Sequence, residues 1–470
     1  MTAALVSGRE DWRRRAAFFA FFGALGWSFG GSMSYMRVLA YTHTDSLPDV
    51  LYGFLCTFVI GFLWGAMGGA GTALPAVLDR DRLTEFLPPL IAIFSAWAAW
   101  DYIVRPFVLP PWVEAGGTLN LDWYGSDWIG ASLALLAMLV FLAFQRRVSP
   151  ASSLILHMIA GWWAGFLGLV VVLGLRMTPP RGDNWAGCLG MTVALFVYLL
   201  RKRLFPVAVA ALLAAVFAGF GFSSGLVIRS AGTATGISTN WHSILEQSYG
   251  FIQGIGIAVA MGYLSARAAP VNEEPLTRPW AERFSVAFVL VALTWLNISK
   301  NMNAVWLPNK VVPERMYGLP AIWWFHFAYL ALAAVVMALM ARHRRAPISA
   351  MPATELGKGQ VLFLVFLWWI VIGNLSRYLP FHPQRMVTEG VILLNACIAT
   401  VLALSLPREK ESVAQLAAPD YARYLKRIAW VGLAVWILTT AVDSGLILPL
   451  FDAPFQGARF RFGPQALEGR

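Results

Sequence analysis

Charged side chains at the ends of long apolar segments are the residues in this sequence most able to do chemistry. Ionisable groups at membrane depth are costly unless they are paired or hydrated, so they indicate function. Taken one at a time, each could instead be an interfacial side chain that reaches toward lipid headgroups. The basic members of the set are Arg37, Arg176, Arg229, Lys300 and Arg377.

These cations end segments that run toward the same predicted side of a membrane, so we expect them to surround an outer vestibule. The guanidinium fork binds carboxylate and phosphate groups in a bidentate way, which favours an anionic solute. Asp101 and Arg105 stand four residues apart in the third segment. On a helix this spacing places them side by side, so Asp101 is the candidate for proton coupling and Arg105 its ion-pair partner.

A second group of candidates is polar or aromatic and lies within the apolar segments. Glycines crowd the same stretches, and small residues four apart also allow plain close packing of helices. The alternative is a helix that opens onto a polar cavity, where indole rings could stack on a sugar. The predicted cavity residues of this group are Trp27, Ser28, Tyr35, Ser223, Gln253, Asn297 and Trp368.

Other kinds of site lack a signal in the sequence. The cysteines Cys56, Cys188 and Cys397 all fall inside apolar segments, and the six histidines show no spacing typical of metal ligands. No nucleotide-binding glycine loop, zinc-protease helix or nucleophile elbow is present. We therefore predict no metal, no cofactor and no catalytic residue.

The elements that must position these residues are membrane-spanning helices. Hydrophobic residues make up 58% of 470 residues, charged residues 13%, and the mean hydropathy is +0.63. Soluble domains carry about a quarter charged residues. Apolar runs of spanning length predict an all-α polytopic protein with thirteen helices. Their predicted ranges are 16–40, 51–78, 87–108, 127–145, 152–175, 185–200, 205–228, 249–266, 283–300, 321–341, 360–376, 387–406 and 428–447.

The basic residues predict the orientation. With the N-terminus in the cytoplasm, the inner segments hold 23 of the 36 lysines and arginines, while the 25 acidic residues divide almost evenly. This asymmetry follows the positive-inside rule and places the C-terminus outside, in the plasma (inner) membrane of a cell. Because topology explains the net charge of +11, the charge does not indicate a nucleic-acid partner. The expected partners are the lipid bilayer and a small solute; the sequence indicates no oligomeric state.

Matching motifs at a nearly constant offset predict an internal repeat. Gly26-Trp27-Ser28 matches Gly221-Phe222-Ser223, Tyr52-Gly53-Phe54 matches Tyr249-Gly250-Phe251, and Trp162-Trp163 matches Trp368-Trp369. Six helices in each copy make the repeat parallel, related by an axis along the membrane normal. The predicted divisions are 1–203, 204–406, and a connector with the last helix at 407–470.

In helix number and repeat symmetry the chain resembles the major facilitator superfamily. Asp79-Arg80-Asp81-Arg82, between the second and third helices, is similar to that family's loop motif, although Asp81 replaces its glycine and 267–283 holds no second copy. The resemblance implies a transporter that works by alternating access, and the residues named above imply an anionic or sugar-like solute. The alternatives are a membrane-embedded transferase acting on lipid-linked or surface glycans, and a non-catalytic subunit of a membrane complex that binds pigment or haem through His157 or His326.

Overall fold

The protein is an all-α membrane protein. The computed structural model describes residues 1–28, 33, 35–115, 123–179, 184–237, 241–271, 278–308, 312–346, 351, 354–378, 386–406 and 430. Within this part, nine helices are long and apolar enough to cross a membrane, and three shorter apolar helices accompany them. The predicted thirteenth helix, 428–447, lies outside the described residues except for Trp430.

Helices occupy each of the first twelve predicted apolar segments. In chain order they are α1 (Ala16–Ser28), α2 (Leu47–Val77), α3 (87–114), α4 (Trp128–Gln145), α5 (Pro150–Val172), α6 (Trp185–Arg201), α7 (Phe205–Ala234), α8 (Trp241–Arg267), α9 (280–306), α10 (Ala321–Arg345), α11 (Glu355–Tyr378) and α12 (Met386–Leu404). Short helical pieces, Thr2–Val6, Glu10–Arg13, Tyr35–Val38, Leu39–His43 and Arg80–Thr84, lie between or before them. The predicted bounds lie within about six residues of these helices, with two exceptions. Helix α8 begins eight residues before its predicted start, and α1 ends at Ser28 although the prediction continued to residue 40.

Wide π-helical turns interrupt α3, α5 and α9. The turn Trp100–Val104 divides α3, the turn Phe166–Val172 ends α5, and α9 contains two, at Phe288–Leu293 and Met302–Trp306. Two of the four come just before a proline, Pro106 or Pro308. A proline cannot donate to the carbonyl four residues earlier and its ring clashes with that carbonyl, so the backbone widens locally.

The connections that precede α4 and α10 share a tight turn. Tyr124-Gly125 links an antiparallel bridge between Trp123 and Ser126, and Tyr317-Gly318 links β1 (Arg315–Met316) to β2 (Leu319–Pro320). Both tyrosines and both glycines have positive φ, 54° and 69° in the first turn and 50° and 80° in the second. Two consecutive positive φ angles define the hairpin turn whose twist matches paired strands.

The described chain forms two compact units. Unit A comprises Phe22–Val227 and Ser248–Ala281; unit B comprises Met1–Phe21, Ile228–Gln247 and the described residues from Glu282 onward. The two units are defined by which residues pack together, whereas the predicted divisions at 203 and 406 separate the copies of the predicted sequence repeat. The repeat therefore stays a prediction.

In unit A, α2 is packed through glycines on two faces. A Cβ added to Gly61 or Gly65 would lie 2.5 Å from a carbonyl oxygen of α7, that of Ala218 or Ala214. On another face, a Cβ on Gly26 of α1 would lie 2.6 Å from the carbonyl oxygen of Met67. Backbones this close gain dispersion contacts along their length, which is how small residues stabilise helix pairs in membranes.

In unit B, helices are joined by side-chain hydrogen bonds. The buried Asn301 on α9 donates to the Gly373 carbonyl of α11 at 2.7 Å, and the buried Gln360 on α11 donates to the Ala403 carbonyl of α12 at 2.6 Å. The N-terminal segment also belongs to this unit, where Arg9 and Arg15 both pair with Asp11 at 2.7 Å.

Candidate functional site

An aromatic cluster in unit A brings together several predicted site residues. The ring of Phe222 on α7 packs at a tilt of 38° against that of Tyr249 on α8, with centroids 3.8 Å apart, and the Trp64 ring of α2 lies 5.6 Å from Phe222 and 5.8 Å from Tyr249. Tyr35 meets the edge of Phe222 at 5.2 Å. Four rings from four segments of the chain therefore pack together, with Phe222 and Tyr249 buried and Tyr35 and Trp64 partly buried against them; we call this group the aromatic cluster.

Trp27 is attached to the cluster through α2. Its indole lies flat against Gly68, where any side chain would collide with the ring. Its Nε1 donates to Thr72 Oγ1 at 3.2 Å, and its own carbonyl accepts a hydrogen bond from Trp64 Nε1. The glycine at position 68 thus creates the space for Trp27, and two hydrogen bonds fix the direction of both indoles.

Polar groups border the cluster. Ser223, next to Phe222, donates to the Phe54 carbonyl of α2 at 3.2 Å, and Gln253, one turn beyond Tyr249, lies beside the Tyr249 hydroxyl. Ser28 is exposed and donates to the Leu25 carbonyl at 2.7 Å. Trp27, Tyr35 and Trp64 are only partly buried. Aromatic faces of this kind, bordered by an amide and hydroxyls, can stack on a sugar ring and bind its hydroxyl groups.

The predicted cations occupy different environments. Arg37 is exposed, whereas Arg176 is partly buried with its guanidinium carbon 4.3 Å from the centre of the Tyr124 ring. That stacking attracts the cation to the aromatic face and orients it. Arg229 belongs to unit B and is 4% exposed, near the end of α7. The side chains of Lys300 and Arg377 lie outside the described residues.

Asp101 and Arg105 form an ion pair in the π-helical turn of α3. Their nearest charged atoms are 3.9 Å apart, and the side chains are 57% and 42% exposed. A pair this exposed contributes about 0–1 kcal/mol in water.

The remaining predicted residues lie in unit B. Asn297 is exposed, and its amide donates to the Leu293 carbonyl of its own helix at 2.9 Å. Trp368 on α11 donates from Nε1 to Thr400 Oγ1 of α12 at 2.9 Å. Trp368 therefore joins two helices through its polar edge, and it does not belong to the aromatic cluster of unit A.

Three cluster members, Trp64, Phe222 and Tyr249, were not among the predicted site residues. Phe222 and Tyr249 stand within the repeat motifs, so the motifs carried a signal that was interpreted only as evidence of duplication. Trp64 carried no signal of its own, because one tryptophan in a chain with 21 does not stand out. Its role depends on which way α2 faces.

Among the described residues, no group of three histidine, cysteine, aspartate or glutamate side chains could hold a metal ion. No protein-family model, curated protein or solved structure matches this chain. The resemblance to the major facilitator superfamily is therefore an expectation from the sequence, and the function is argued from the site alone.

Proposed function

We propose that this protein is a membrane transporter for a small polar solute, anionic or sugar-like, that works by alternating access. The observation that carries the proposal is the origin of the aromatic cluster. The segment that follows α1, together with α2, supplies Tyr35 and Trp64, while α7 and α8 supply Phe222 and Tyr249. In the predicted repeat these are the opening helices of the two halves. Transporters built from repeats bind their substrates where the repeats meet.

Two structural matches support the repeat beyond the sequence motifs. The π-helical turn Trp100–Val104 before Pro106 corresponds to Met302–Trp306 before Pro308, late in the third helix of each half. The Tyr124-Gly125 turn corresponds to Tyr317-Gly318, ahead of the fourth helix of each half. Both pairs follow the same order along the chain as the predicted repeat.

The composition of the site supports the solute class. Indole and phenol rings favour stacking on a sugar, and Gln253 offers both a donor and an acceptor for hydroxyl groups. Arg37 and Arg176 supply positive charge in the same unit, which favours a carboxylate or phosphate on the solute. A sugar acid combines the two features.

The membrane orientation belongs to the same proposal. The excess of basic residues in the predicted inner segments supports an N-terminus in the cytoplasm. The thirteenth helix predicted at 428–447 would then carry the C-terminus to the outer side of the plasma membrane.

Binding of gluconate, glucuronate and neutral glucose to the purified protein tests the proposal. We expect a sugar acid to bind the wild type, and Gln253→Leu and Arg37→Gln each to weaken binding about tenfold or more through loss of a hydrogen bond to the solute, a charged one at Arg37. Arg229→Gln is the third variant. Isothermal titration with each ligand gives the dissociation constants.

Arg147→Gln serves as the matched control, because Arg147 is exposed and lies in a predicted inner segment. It is expected to bind like the wild type. Since Arg229 is buried, its variant is interpreted only if it elutes as a folded protein. If the wild type, Gln253→Leu and Arg37→Gln all bind each of the three ligands equally well, Gln253 and Arg37 do not belong to the site. Turnover of a lipid-linked glycan would favour the transferase instead.

A further inference from the structure

Two intramembrane histidines use the same ring nitrogen in opposite ways. His326 on α10 accepts a hydrogen bond at Nδ1 from the Nε1 of Trp295 on α9, at 3.3 Å. Nδ1 of His157 on α5 lies 2.7 Å from the Ser153 carbonyl, which can only accept. An indole only donates, so the neutral His326 carries its proton on Nε2, whereas His157 carries its proton on Nδ1.

Protonation therefore has different consequences at the two positions. A proton that binds His157 enters at Nε2 and leaves the bond to Ser153 intact. A proton that binds His326 enters at Nδ1, takes the lone pair that the Trp295 indole uses, and sets two N–H groups against each other. The hydrogen bond between Trp295 and His326 exists only while His326 is neutral.

The surroundings of His326 are aromatic. Its described ring neighbours are Trp295 at 5.8 Å, Trp323 at 6.4 Å and Phe325 at 5.8 Å, and none of them carries charge. Tyr329, one turn along α10, packs against Trp369 of α11, and its hydroxyl donates to the Val291 carbonyl of α9. Lys300 lies five residues beyond Trp295 on α9, and its side chain lies outside the described residues.

The part of α9 that holds Trp295 is bounded by irregular backbone on both sides. Thr294–Asn301 is α-helical between the π-helical turns Phe288–Leu293 and Met302–Trp306. Side chains tie it to both neighbouring helices: Trp295 contacts α10, and Asn301 donates to the Gly373 carbonyl of α11. Such π-helical turns are frequent where a helix carries function, because they leave backbone groups free to change partner.

From these contacts we infer that His326 is the proton-binding residue of the transport cycle, in the role that the sequence suggested for Asp101. Protonation at Nδ1 releases the Trp295 indole and weakens the hold of α10 on the segment Thr294–Asn301, and deprotonation restores the bond. His326 lies five residues into α10, about 8 Å along the helix axis from the first residue of the helix. The inference rests on the proposed function.

Nitrogen-15 spectra of histidine-labelled protein in lipid nanodiscs test the chemistry without any solute. At pH 8 we expect His326 to show a bare Nδ1 and a protonated Nε2, and His157 to show the opposite tautomer. His326→Asn and His157→Asn assign the two signals. A protonated Nδ1 on His326 at pH 8 would overturn the inference.

Thermal unfolding at pH 8 and pH 5.5 tests the contact. On acidification, the melting temperature of the wild type should fall by about 2 °C more than that of His326→Asn. The asparagine oxygen stands close to the position of Nδ1 and cannot be protonated. The melting temperature of Trp295→Phe should also fall less than that of the wild type, whereas that of His157→Asn should fall as much as that of the wild type. Equal losses in all four proteins would contradict the inference.

Uptake of gluconate into proteoliposomes tests the role in transport. An outside pH one unit below the inside should stimulate the wild type at least about fivefold and His326→Asn less than about twofold. If uptake by His326→Asn depends on pH as in the wild type, while uptake by Asp101→Asn does not depend on pH, then Asp101 is the proton-binding residue. If the tautomers are as expected but the wild type takes up no solute, the proposed function is wrong. The stability measurements then still show whether the contact between Trp295 and His326 responds to protonation.

Discussion

Helices α2 and α9 are stabilised in contrasting ways. α2 runs for 31 residues as a continuous helix, and glycines bring its backbone against the backbones of α1 and α7. α9 is interrupted by two π-helical turns, and hydrogen bonds from Trp295 and Asn301 hold its middle segment. Dispersion between close backbones has no partner that a proton can remove, whereas the hydrogen bond from Trp295 to His326 does.

This difference indicates a division of labour between the two helices. Close packing of α2 keeps the aromatic cluster in one arrangement, since Trp64 and the support for Trp27 both come from it. The hydrogen bonds of α9 offer two states that differ by only a few directional contacts. Packed interiors change between discrete arrangements, so an element held by few bonds is the one expected to move.

The largest effect is expected from a methyl group added to α2. In Gly65→Ala the new Cβ would lie 2.5 Å from the Ala214 carbonyl oxygen and 2.8 Å from the Ala215 Cα. Neither is the flexible end of a side chain, so the helices must separate, at a cost of about 3 kcal/mol. Unfolding by denaturing detergent in mixed micelles measures this loss.

Gly254→Ala on α8 is the matched control for Gly65→Ala. A Cβ at Gly254 meets no atom within 4 Å, so alanine should stabilise the helix by about 0.5–1 kcal/mol. Similar effects of the two substitutions would show that helix propensity, and not close approach, decides the stability of α2.

A smaller effect is expected when one hydrogen bond of α9 is removed. Asn301→Leu deletes the bond to the Gly373 carbonyl and should cost about 1–2 kcal/mol, because the amide is buried. Asn297→Leu, one turn earlier, removes only an exposed bond within the same helix and should cost less than about 0.5 kcal/mol. Equal losses would mean that α9 is not held through Asn301.

The smallest effect is expected at the first π-helical turn of α9. Thr294 Oγ1 donates to the Val289 carbonyl at 3.2 Å, so Thr294→Val should cost about 0.6 kcal/mol, a typical value inside membranes. Thr192→Val on α6, which loses an ordinary bond to the Cys188 carbonyl, is the control. A loss above about 2 kcal/mol at Thr294 alone would show that this side chain stabilises the turn.

The positions of the helices could be predicted from the sequence because hydropathy depends only on composition over about twenty residues. The direction in which each helix orients its side chains could not be predicted in this way. Trp27, Tyr35, Ser223 and Gln253 were predicted to line one site, and unit A places all four at or beside the aromatic cluster. Trp368, predicted for the same site, bonds to Thr400 in unit B, because its direction depends on the packing of α11 against α12.

The Tyr-Gly turns show a second limit of the sequence. Both turns have positive φ at the tyrosine and at the glycine, which follows from their shared residues. Tyr124 is covered by the Arg176 guanidinium, whereas Tyr317 is 89% exposed. Local sequence determined the conformation of the turn, and a residue about fifty positions away determined the burial of its side chain.

The π-helical turn at Phe288–Leu293 has a consequence for how this chain can evolve. An α-helix turns by about 100° for each residue, so a helix that accommodates one extra residue presents everything beyond it in a new direction. In genetic terms the change is the insertion of a single codon. A lineage can thereby redirect Trp295 and Asn301 together without replacing either residue, and deletion of one codon between 288 and 293 would reverse it.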